Sequence, residues 1–314
     1  MIKNILTITL NPTVDKSSAV DKITPERKLR CDPPKYEPGG GGVNVSRALS
    51  RLGIQSDAFF PSGGRTGKLL EELLEKEKVS ILPFELEDET RESFIVVETS
   101  TNQQYRFGMP GSAIPEEAQE RIFTSIMNLS PFPDLVVISG SLPPDMEASF
   151  LRRLIKSLKE KQAKVVLDTS GEALEEAVAE GVFLLKPNIG ELAKLTGAES
   201  LDNESADEAA KELITMGKAE VVVVSMGPQG AHLVTKDMNR HIPAPSVRKL
   251  STVGAGDSMV AGMVSVLAKG GDFCEMAMMG VACGTAATMN PGTGLFKVED
   301  VDRLYKWLLK STVG

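Results

Sequence analysis

An acidic side chain, Asp257, stands directly after two glycine residues of the segment STVGAGDSMVAG (251–262) and before a run of small and apolar residues. The run predicts a helix from about Asp257, and the glycines leave backbone N–H groups free to converge at its positive end. Such a helix start can bind an anion. Two interpretations stay open: Asp257 caps the helix, or it accepts the proton of a hydroxyl that attacks a bound phosphoryl group.

A second glycine-rich segment, EPGGGGVNVSRAL (37–49), runs into a helical pattern that begins at Asn44. Consecutive glycines let the backbone approach another group very closely, or they act as a hinge. The segment is therefore either a flexible loop or a contact with a polar small molecule, made through backbone N–H groups and the Asn44 side chain. The regular helix that follows directly favours the second interpretation.

The segment KPNIGEL (186–192) places Asn188 and Glu191 on one face of a helix that follows a strand. An amide and a carboxylate so placed can hold the waters of Mg²⁺, which keeps several waters in protein sites. The same spacing also describes an N-cap and its capping-box partner, and both interpretations stay open. The segment GGRTGKLL (63–70) resembles a phosphate-binding loop but lacks its first glycine and its Ser or Thr, so it predicts only a turn into a helix.

The elements that must position these residues are strands and helices in alternation. Short apolar runs predict buried strands at 4–10, 56–61, 134–140, 164–170, 182–188 and 220–227. Their order predicts a parallel sheet with helices on both faces. Polar residues follow the strands, at the edge where such sheets bind ligands, although each one alone could belong to a turn or a helix cap. They are Asn11, Asp15, 139–141, Asp168, 186–188 and 225–227.

Two segments, 14–37 and 91–109, break this order because polar and apolar residues alternate along them. They predict a small antiparallel sheet that covers the main domain as a lid or forms a dimer contact. The cations on these segments are Lys28, Arg30, Arg91 and Arg106. They are either solvated surface groups or a set that recognises a phosphate through charge-assisted hydrogen bonds.

Composition argues against several classes of function. The chain has 314 residues and a net charge of −8, which disfavours nucleic acid or an anionic membrane as its main partner. Its two histidines and three cysteines are too few and too scattered for a histidine-based metal site, a Ser-His-Asp triad or a redox motif. The sparse cysteines, the lack of an apolar run of ~18 residues and a first apolar segment too short for a signal peptide predict a cytoplasmic protein.

Six motifs in order resemble those of the PfkB family of ribokinase-like sugar kinases over nearly the whole chain: TLNPTVD, PGGGGVNVSRAL, SGSLPP, KPNIGE, SMGPQGA and VGAGDSMVAG. The resemblance implies a Rossmann-like α/β fold, with a mostly parallel sheet, helices on both faces and a small antiparallel β-sheet lid. It implies a single kinase domain over 1–314, with a core of 1–13, 38–90 and 110–314 and a lid of 14–37 and 91–109. It also implies a homodimer joined through the lids.

The resemblance assigns roles to particular residues. Asp257 would be the catalytic base, and the amides of Gly254, Ala255 and Gly256 would form the anion hole. The sugar phosphate would be held by Asp15, Gly40, Gly41, Asn44, Ser139 and Arg91, and by Lys28 of this or the neighbouring subunit. ATP would be bound by Lys186, Asn188, Ser225, Gly227, Gly230, Cys283 and Asn290, and Glu191 would hold Mg²⁺ through water. A monovalent cation, K⁺, would lie at Ser251, Val253, Asn290 and Gly292, near Gly294, which stands where the family leads one to expect an arginine.

The activity that the resemblance implies is ATP- and Mg²⁺-dependent phosphorylation of D-fructose 6-phosphate at its C1 hydroxyl, which yields fructose 1,6-bisphosphate in glycolysis. Three alternatives stay open: a tagatose-6-phosphate kinase, a 1-phosphofructokinase and a non-catalytic sugar-phosphate sensor. The sensor is the least favoured, because Asp257 and the nucleotide-binding segments are all present.

Overall fold

Strands and helices alternate along the chain in a computed structural model that describes residues 2–202 and 205–311. The strands are β1 (Ile5–Ile8), β2 (Thr13–Val20), β3 (Lys35–Gly39), β4 (Asp57–Gly63), β5 (Ser80–Leu86), β6 (Arg91–Glu98), β7 (Gln103–Phe107), β8 (Leu135–Ser139), β9 (Lys164–Asp168), β10 (Val182–Leu185), β11 (Ala219–Ser225), β12 (Ala231–Thr235) and β13 (Asn239–Ile242). The helices are α1 (Gly41–Arg51), α2 (Gly64–Lys76), α3 (Glu116–Met127), α4 (Ser149–Glu160), α5 (Glu172–Val178), α6 (Ile189–Thr196), α7 (Ala206–Thr215), α8 (Ala255–Lys269), α9 (Phe273–Thr288) and α10 (Val298–Ser311). Every predicted apolar run forms a strand, namely β1, β4, β8, β9, β10 and β11.

Within the described residues, the main sheet has the strand order β13-β12-β11-β10-β9-β8-β1-β4-β5. All neighbouring strands from β11 to β5 are parallel, and β12 and β13 add two antiparallel pairs at one edge. The predicted mostly parallel sheet is confirmed. The apolar runs do not predict β5, β12 and β13. β5 and β13 are the edge strands and β12 lies next to β13; all three expose part of their side chains, so polar residues interrupt their pattern.

Helices cover both faces of this sheet, which is why its central strands are apolar at successive positions. In β8, Val136 and Ile138 belong to the core under α3–α7, whereas Leu135 and Val137 belong to the core under α1 and α8–α10. All four side chains are at most 3% exposed. Each buried aliphatic side chain of this size contributes roughly 1.5–3 kcal/mol, so the two cores hold the strand ends rigidly where the polar residues follow.

The segments 14–37 and 91–109, in which polar and apolar residues alternate, form a second sheet with the strand order β3-β2-β6-β7. This sheet is called the lid here. Its outer pairs are antiparallel, as predicted, but its central pair, β2 with β6, is parallel. The parallel pair follows from the connections. β1 and β5 run parallel in the main sheet, so their carboxyl ends lie at the same end of that sheet. The chain continues from these two ends into β2 and β6, which therefore run in the same direction.

Both glycine-rich segments start helices earlier than their patterns predict. α1 begins at Gly41 and α8 at Ala255, so Asn44 and Asp257 each lie near the amino end of a helix. Gly40 and Gly254 precede these helices with φ angles of 109° and 71°, which glycine adopts far more easily than other residues. The segment GGRTGKLL forms the turn into α2, as predicted.

No helix among the described residues is long and apolar enough to cross a membrane. Met1 and residues 312–314, the outer limits of the predicted domain, lie outside the described part of the chain. The division into one core and one lid within a single kinase domain stays a prediction, and so does the cytoplasmic location.

Candidate active site

The predicted site residues gather where the main sheet changes its winding direction. β1 is flanked on one side by β4 and on the other by β8, which the chain reaches only after the lid strands. A crevice opens beyond the carboxyl ends of the strands at such a point, and α/β sheets bind ligands there. Ser139 ends β8, and α1, which carries Asn44, packs against both β1 and β8.

Asn44 and Asp257 are in direct contact at this crevice. Nδ2 of Asn44, a residue only 4% exposed, donates to Oδ2 of Asp257 at 2.9 Å. Asp257 does not cap α8, because Gly254 occupies the N-cap position and no side chain makes a capping bond there. The carboxylate therefore lies at the positive end of a helix beside the backbone N–H groups of its first turn, the geometry required of a proton acceptor next to an anion hole. Of the amides assigned to that hole, the N–H of Ala255 donates to the carbonyl oxygen of Thr252 at 3.4 Å.

The surroundings of Asp257 raise the pKa of its carboxyl group from 3.8 to about 6. Burial is the largest cause, and the carboxylates of Asp168 and Asp15 also raise this pKa, whereas the hydrogen bond from Asn44 and the charge of Lys186 lower it. A carboxylate with a pKa near the working pH is both ionised and basic, which suits general base catalysis.

A buried ion pair between Lys186 and Asp168 lies next to the start of α8. Nζ of Lys186 is 3.0 Å from Oδ1 of Asp168, and the lysine side chain is 7% exposed. Burial alone would lower the pKa of Lys186, but the carboxylate of Asp168 raises it above its ordinary value, so the lysine is charged. A Cβ built on Gly256 would lie 3.6 Å from Nζ, so this cation stands over the bare backbone of the first turn.

The glycines before α1 pack tightly against the ends of β1 and β8. A Cβ on Gly41 would overlap Oγ of Ser139, and a Cβ on Gly40 would lie 2.7 Å from Cγ2 of Thr9. The backbone is therefore held closely in place here, which argues against the flexible-loop interpretation. Close packing accounts for both glycines without a ligand, so their contact with a sugar stays a prediction.

Asp15 lies on β2, where the lid joins the core, and is 8% exposed. Burial raises the pKa of its carboxyl group to about 6, while the nearby charges of Arg106, Arg91 and Arg47 lower it. The lid therefore brings two of the predicted cations, Arg91 and Arg106, within electrostatic reach of one buried carboxylate. Such a mixed cluster can bind both the hydroxyl groups and the phosphate of a sugar phosphate.

Arg91 and Lys28, the two cations assigned to the sugar phosphate, differ in their surroundings. Arg91 donates to the carbonyl oxygens of Asn11 at 3.0 Å, Pro12 at 3.3 Å and Met109 at 2.9 Å, so its guanidinium group fastens the lid to the core. Lys28 is exposed in the connection between β2 and β3. Among the described residues, the structure does not bring Lys28 to the other predicted site residues of the same chain.

Asn188 and Glu191 form the capping box that their spacing allows. Oδ1 of Asn188 accepts the backbone N–H of Glu191, and Oε2 of Glu191 accepts that of Asn188, each at 2.9 Å. The described residues contain no cluster of three or more His, Cys, Asp or Glu side chains that could hold a metal ion. Mg²⁺ in kinase sites is commonly held by one or two carboxylates together with substrate phosphates and water. Glu191 fits that use through its second carboxylate oxygen, Oε1, which the capping box leaves unused.

The residues assigned to nucleotide binding differ in whether they are exposed at the site. Ser225 ends β11, and Gly227 is exposed in the turn that follows. A Cβ on Gly230 would overlap the carbonyl oxygen of Ile242 on β13, so strand packing accounts for that glycine. Cys283 is 0% exposed in the core between α8 and α9, where burial raises the pKa of its thiol, so core packing accounts for this residue and its contact with a nucleotide has no support from the structure.

The predicted site for a monovalent cation contains closely placed oxygen atoms. Oγ of Ser251 donates to the carbonyl oxygen of Gly292 at 3.2 Å and accepts the backbone N–H of Val253 at 3.2 Å. Oγ1 of Thr293 is buried and has no hydrogen-bond partner within the described chain. A buried, unsatisfied oxygen beside backbone carbonyls fits a cation that prefers oxygen ligands. Asn290, by contrast, uses its Nδ2 to bond the carbonyl of Ala286 at the end of α9.

Sequence reasoning did not assign three charged residues that the structure places beside the site. Asp168 ends the buried strand β9, and the strand pattern places it at the ligand-binding edge of the sheet without assigning it a role. Arg47 is 1% exposed and stands three residues after Asn44 on α1, a spacing that puts both side chains on one helix face. Glu77 carries no local signal, because it meets Arg47 only in the folded chain.

A mostly parallel sheet between two helical layers, a β-sheet lid and an aspartate beside the bare amides of a helix start define a ribokinase-like kinase. Residues 4–300 match the pfkB family of carbohydrate kinases, and the chain belongs to this family. The predicted family and fold class are thereby confirmed.

The chain is similar in sequence to named proteins and in structure to solved ones. The chain is 42% identical over 305 residues to the ATP-dependent 6-phosphofructokinase isozyme 2 of Escherichia coli, covering 97% of this chain and 98% of that protein. It is 39% identical to the protein of the same name from Mycobacterium tuberculosis, covering 98% of this chain and 91% of that protein. The crystal structure of E. coli phosphofructokinase-2 in complex with potassium matches with a TM-score of 0.94 at 41% identity, over 98% of this chain and 100% of that one. The structure of its tetrameric inhibited form matches over the same shares, with a TM-score of 0.91 at 40% identity.

Proposed function

We propose that this chain transfers a phosphoryl group from ATP to the C1 hydroxyl of D-fructose 6-phosphate and so forms fructose 1,6-bisphosphate. The two named relatives, at 42% and 39% identity, support this substrate over tagatose 6-phosphate and fructose 1-phosphate. The structural observation that carries the proposal is the contact between Asn44 and Asp257, at 2.9 Å. It holds a carboxylate of raised pKa beside the bare amides of α8.

Phosphoryl transfer needs alignment and charge stabilisation more than covalent help from the protein. The C1 hydroxyl attacks the γ-phosphorus in line, and Asp257 accepts its proton as the new bond forms, a contribution of typically ~10²–10⁴-fold. The amides of 254–257 stabilise the charge on the moving group, and one such donor contributes roughly 3–4 kcal/mol in another enzyme. The ammonium group of Lys186 adds a full positive charge at the same place.

The remaining residues bind the two substrates and their ions. The sugar phosphate contacts Asp15, Gly40, Gly41, Asn44, Ser139, Arg91 and Lys28, and the nucleotide contacts Lys186, Asn188, Ser225, Gly227, Gly230 and Asn290. Glu191 would hold Mg²⁺ through water, and the bound metal would neutralise phosphate charge. Ser251, Val253 and Gly292 would supply oxygen ligands for K⁺. The chain works as one kinase domain whose lid closes over the sugar and excludes water.

We further propose that two chains pair through their lids. The lid exposes the phenylalanine rings of Phe94 and Phe107, which are 36% and 49% exposed, and the side chain of Met109, which is 42% exposed. Apolar side chains grouped on one surface favour association. Such a dimer also gives Lys28, which is exposed in this chain, a place in the neighbouring site. Size-exclusion chromatography with light scattering tests this, and a monomer at micromolar concentration would contradict it.

A coupled ADP-release assay against a panel of sugar phosphates tests the proposed reaction. The panel contains fructose 6-phosphate, tagatose 6-phosphate, fructose 1-phosphate and unphosphorylated fructose, and Asp257→Asn serves as the inactive control. We expect the highest kcat/KM with fructose 6-phosphate. A higher kcat/KM with tagatose 6-phosphate or fructose 1-phosphate would mean that this sugar phosphate is the substrate instead. Binding of a sugar phosphate without ADP release would indicate a sensor.

A further inference from the structure

A fully buried arginine, Arg47, lies directly behind Asn44. Its side chain is 1% exposed, and its Nη1 atom donates to Oδ1 of Asn44 at 3.0 Å. Nδ2 of the same amide donates to Asp257 at 2.9 Å. The three side chains thus form a continuous path of hydrogen bonds from a guanidinium group, through an amide, to the carboxylate assigned as the base.

The chemistry of these groups determines which end of the amide faces which partner. An amide side chain has an acceptor end and a donor end, whereas a guanidinium group has donors only. Oδ1 of Asn44 must therefore face Arg47, and Nδ2 is left to face Asp257. If the amide were reversed, an oxygen would face the carboxylate of Asp257, and that contact would favour the protonated acid, which cannot act as a base.

Glu77 holds Arg47 in this position. Nε and Nη2 of Arg47 donate to the two carboxylate oxygens of Glu77 over distances of 2.6–3.1 Å, a bidentate arrangement that restricts the plane of the guanidinium group. Burial would raise the pKa of Glu77, but its hydrogen bonds with Arg47 lower that pKa below its ordinary value, so the acid is ionised. Nη1 also donates to the carbonyl oxygens of Pro38 at 2.8 Å and Thr293 at 3.4 Å.

We propose that Arg47, held by Glu77, is a positioning residue for phosphoryl transfer: it orients the amide of Asn44 so that the donor end faces Asp257. The proposal rests on the proposed function, because it takes Asp257 to be the base. Arg47 itself contacts neither substrate nor the reacting atoms. Its effect on Asp257 passes through Asn44.

Other charged groups also act on Asp257 and must be separated from this effect. Asp168 at the end of β9, Lys186 after β10 and Asp15 on β2 all influence its ionisation. A substitution of Arg47 also removes a positive charge from the neighbourhood, which would raise the pKa of Asp257 through space. An experiment in the presence and absence of the Asn44 side chain separates the two effects, since only the orienting effect needs Asn44.

The test measures the pKa of Asp257 in the ligand-free, full-length protein by ¹³C NMR of aspartate-labelled samples, with Asp257→Asn identifying the signal. We expect Arg47→Met to raise this pKa by about one unit, because it disorders a hydrogen bond to a charged group. The acid limb of the kcat–pH profile should move to higher pH by the same amount. In the Asn44→Ala background the same substitution should cause little or no further shift, and Arg47→Lys, which keeps a donor, should restore most of the original pKa.

Arg51→Met is the matched control. Arg51 lies one turn further along α1, with a nitrogen 3.6 Å from the same Glu77, and donates to the carbonyl oxygens of Gly294 and Phe296 rather than to Asn44. It should leave the pKa of Asp257 unchanged, even where it lowers stability.

An unshifted pKa in Arg47→Met, or a shift of equal size in the Asn44→Ala background, would overturn the proposal. If Arg47→Met does not fold, the double variant Arg47→Met with Glu77→Gln takes its place, since it also removes the carboxylate charge that would otherwise lose its partner. The proposed roles of Asp257 and Arg47 are refuted by different results. Wild-type turnover in Asp257→Asn would refute Asp257 as the base, whereas an inactive Asp257→Asn with an unshifted Arg47→Met would refute only the role of Arg47.

Discussion

Nδ2 of Asn44 lies 2.9 Å from Oδ2 of Asp257, although the two residues are 213 positions apart in the chain. The contact joins the amino ends of α1 and α8, each of which follows a glycine-rich segment. The anion-binding helix start and the polar end of the glycine loop are therefore parts of one site. Asn44, a residue of the proposed sugar-binding loop, thus also contacts the proposed base.

Asp257→Asn should lose turnover by at least ~10²-fold while binding ATP normally, because the amide is close in size to the acid but cannot accept the proton. Steady-state kinetics measures the loss, and isothermal titration with a non-hydrolysable ATP analogue measures the binding. Turnover within a few-fold of the wild type would contradict the role of this residue.

Turnover should fall as the pH is lowered through about 6, the value to which burial and neighbouring carboxylates raise the pKa of Asp257. The sign follows from the reaction: the group must be ionised to accept a proton, and a raised pKa keeps it protonated up to a higher pH than a free carboxyl group. The kcat–pH profile should lose about tenfold per pH unit below that point. An acid limb near pH 4 would show that the base is an unperturbed carboxylate.

Lys186→Met should lower both stability and turnover. It removes a buried charge and leaves the carboxylate of Asp168 without the partner it has at 3.0 Å, which costs about 3–5 kcal/mol in comparable buried pairs. Urea denaturation measures the first effect and initial rates the second. The double variant Lys186→Met with Asp168→Asn is the control: it should regain most of the stability but not the turnover, and recovery of both would rule out a role for the ammonium group.

Gly41→Ala should destabilise the protein by about 1–3 kcal/mol, because its Cβ would overlap Oγ of Ser139 and lie 2.6 Å from the backbone nitrogen of Gly140. Gly108→Ala is the matched control, since a Cβ at that position meets nothing within 4 Å. Chemical denaturation of both variants provides the comparison. Equal stability of the two would mean that the glycine loop is not tightly packed.

Arg91→Ala should raise the KM for the sugar phosphate about tenfold or more, with little effect on the KM for ATP. Its guanidinium group donates to three backbone carbonyls that join the lid to the core, so some loss of stability should accompany the change. Arg30→Ala, which removes an exposed cation of the same lid, should change neither constant. A rise in the KM for ATP alone would place Arg91 on the nucleotide side.

Much of the site could be predicted where its signal is local. The spacing of Asn188 and Glu191 predicted a capping box as one of two alternatives, and the box is present. The glycines before Asp257 predicted a helix start, and α8 begins two residues before that aspartate. Cys283 shows the limit of such reasoning, because the family resemblance placed it at the nucleotide, whereas side-chain packing between α8 and α9 buries it completely.

The sequence by itself determined the order of strands and helices, the parallel sheet with two covered faces and the family, because burial on both faces and helical periodicity appear directly in the pattern of apolar residues. The tertiary structure alone decided which charged and polar groups meet: Asn44 with Asp257, Lys186 with Asp168, and Arg47 with Glu77. These partners come from different elements. Their contacts depend on how the two helical layers and the lid pack against the sheet, and no local pattern of residues records that packing.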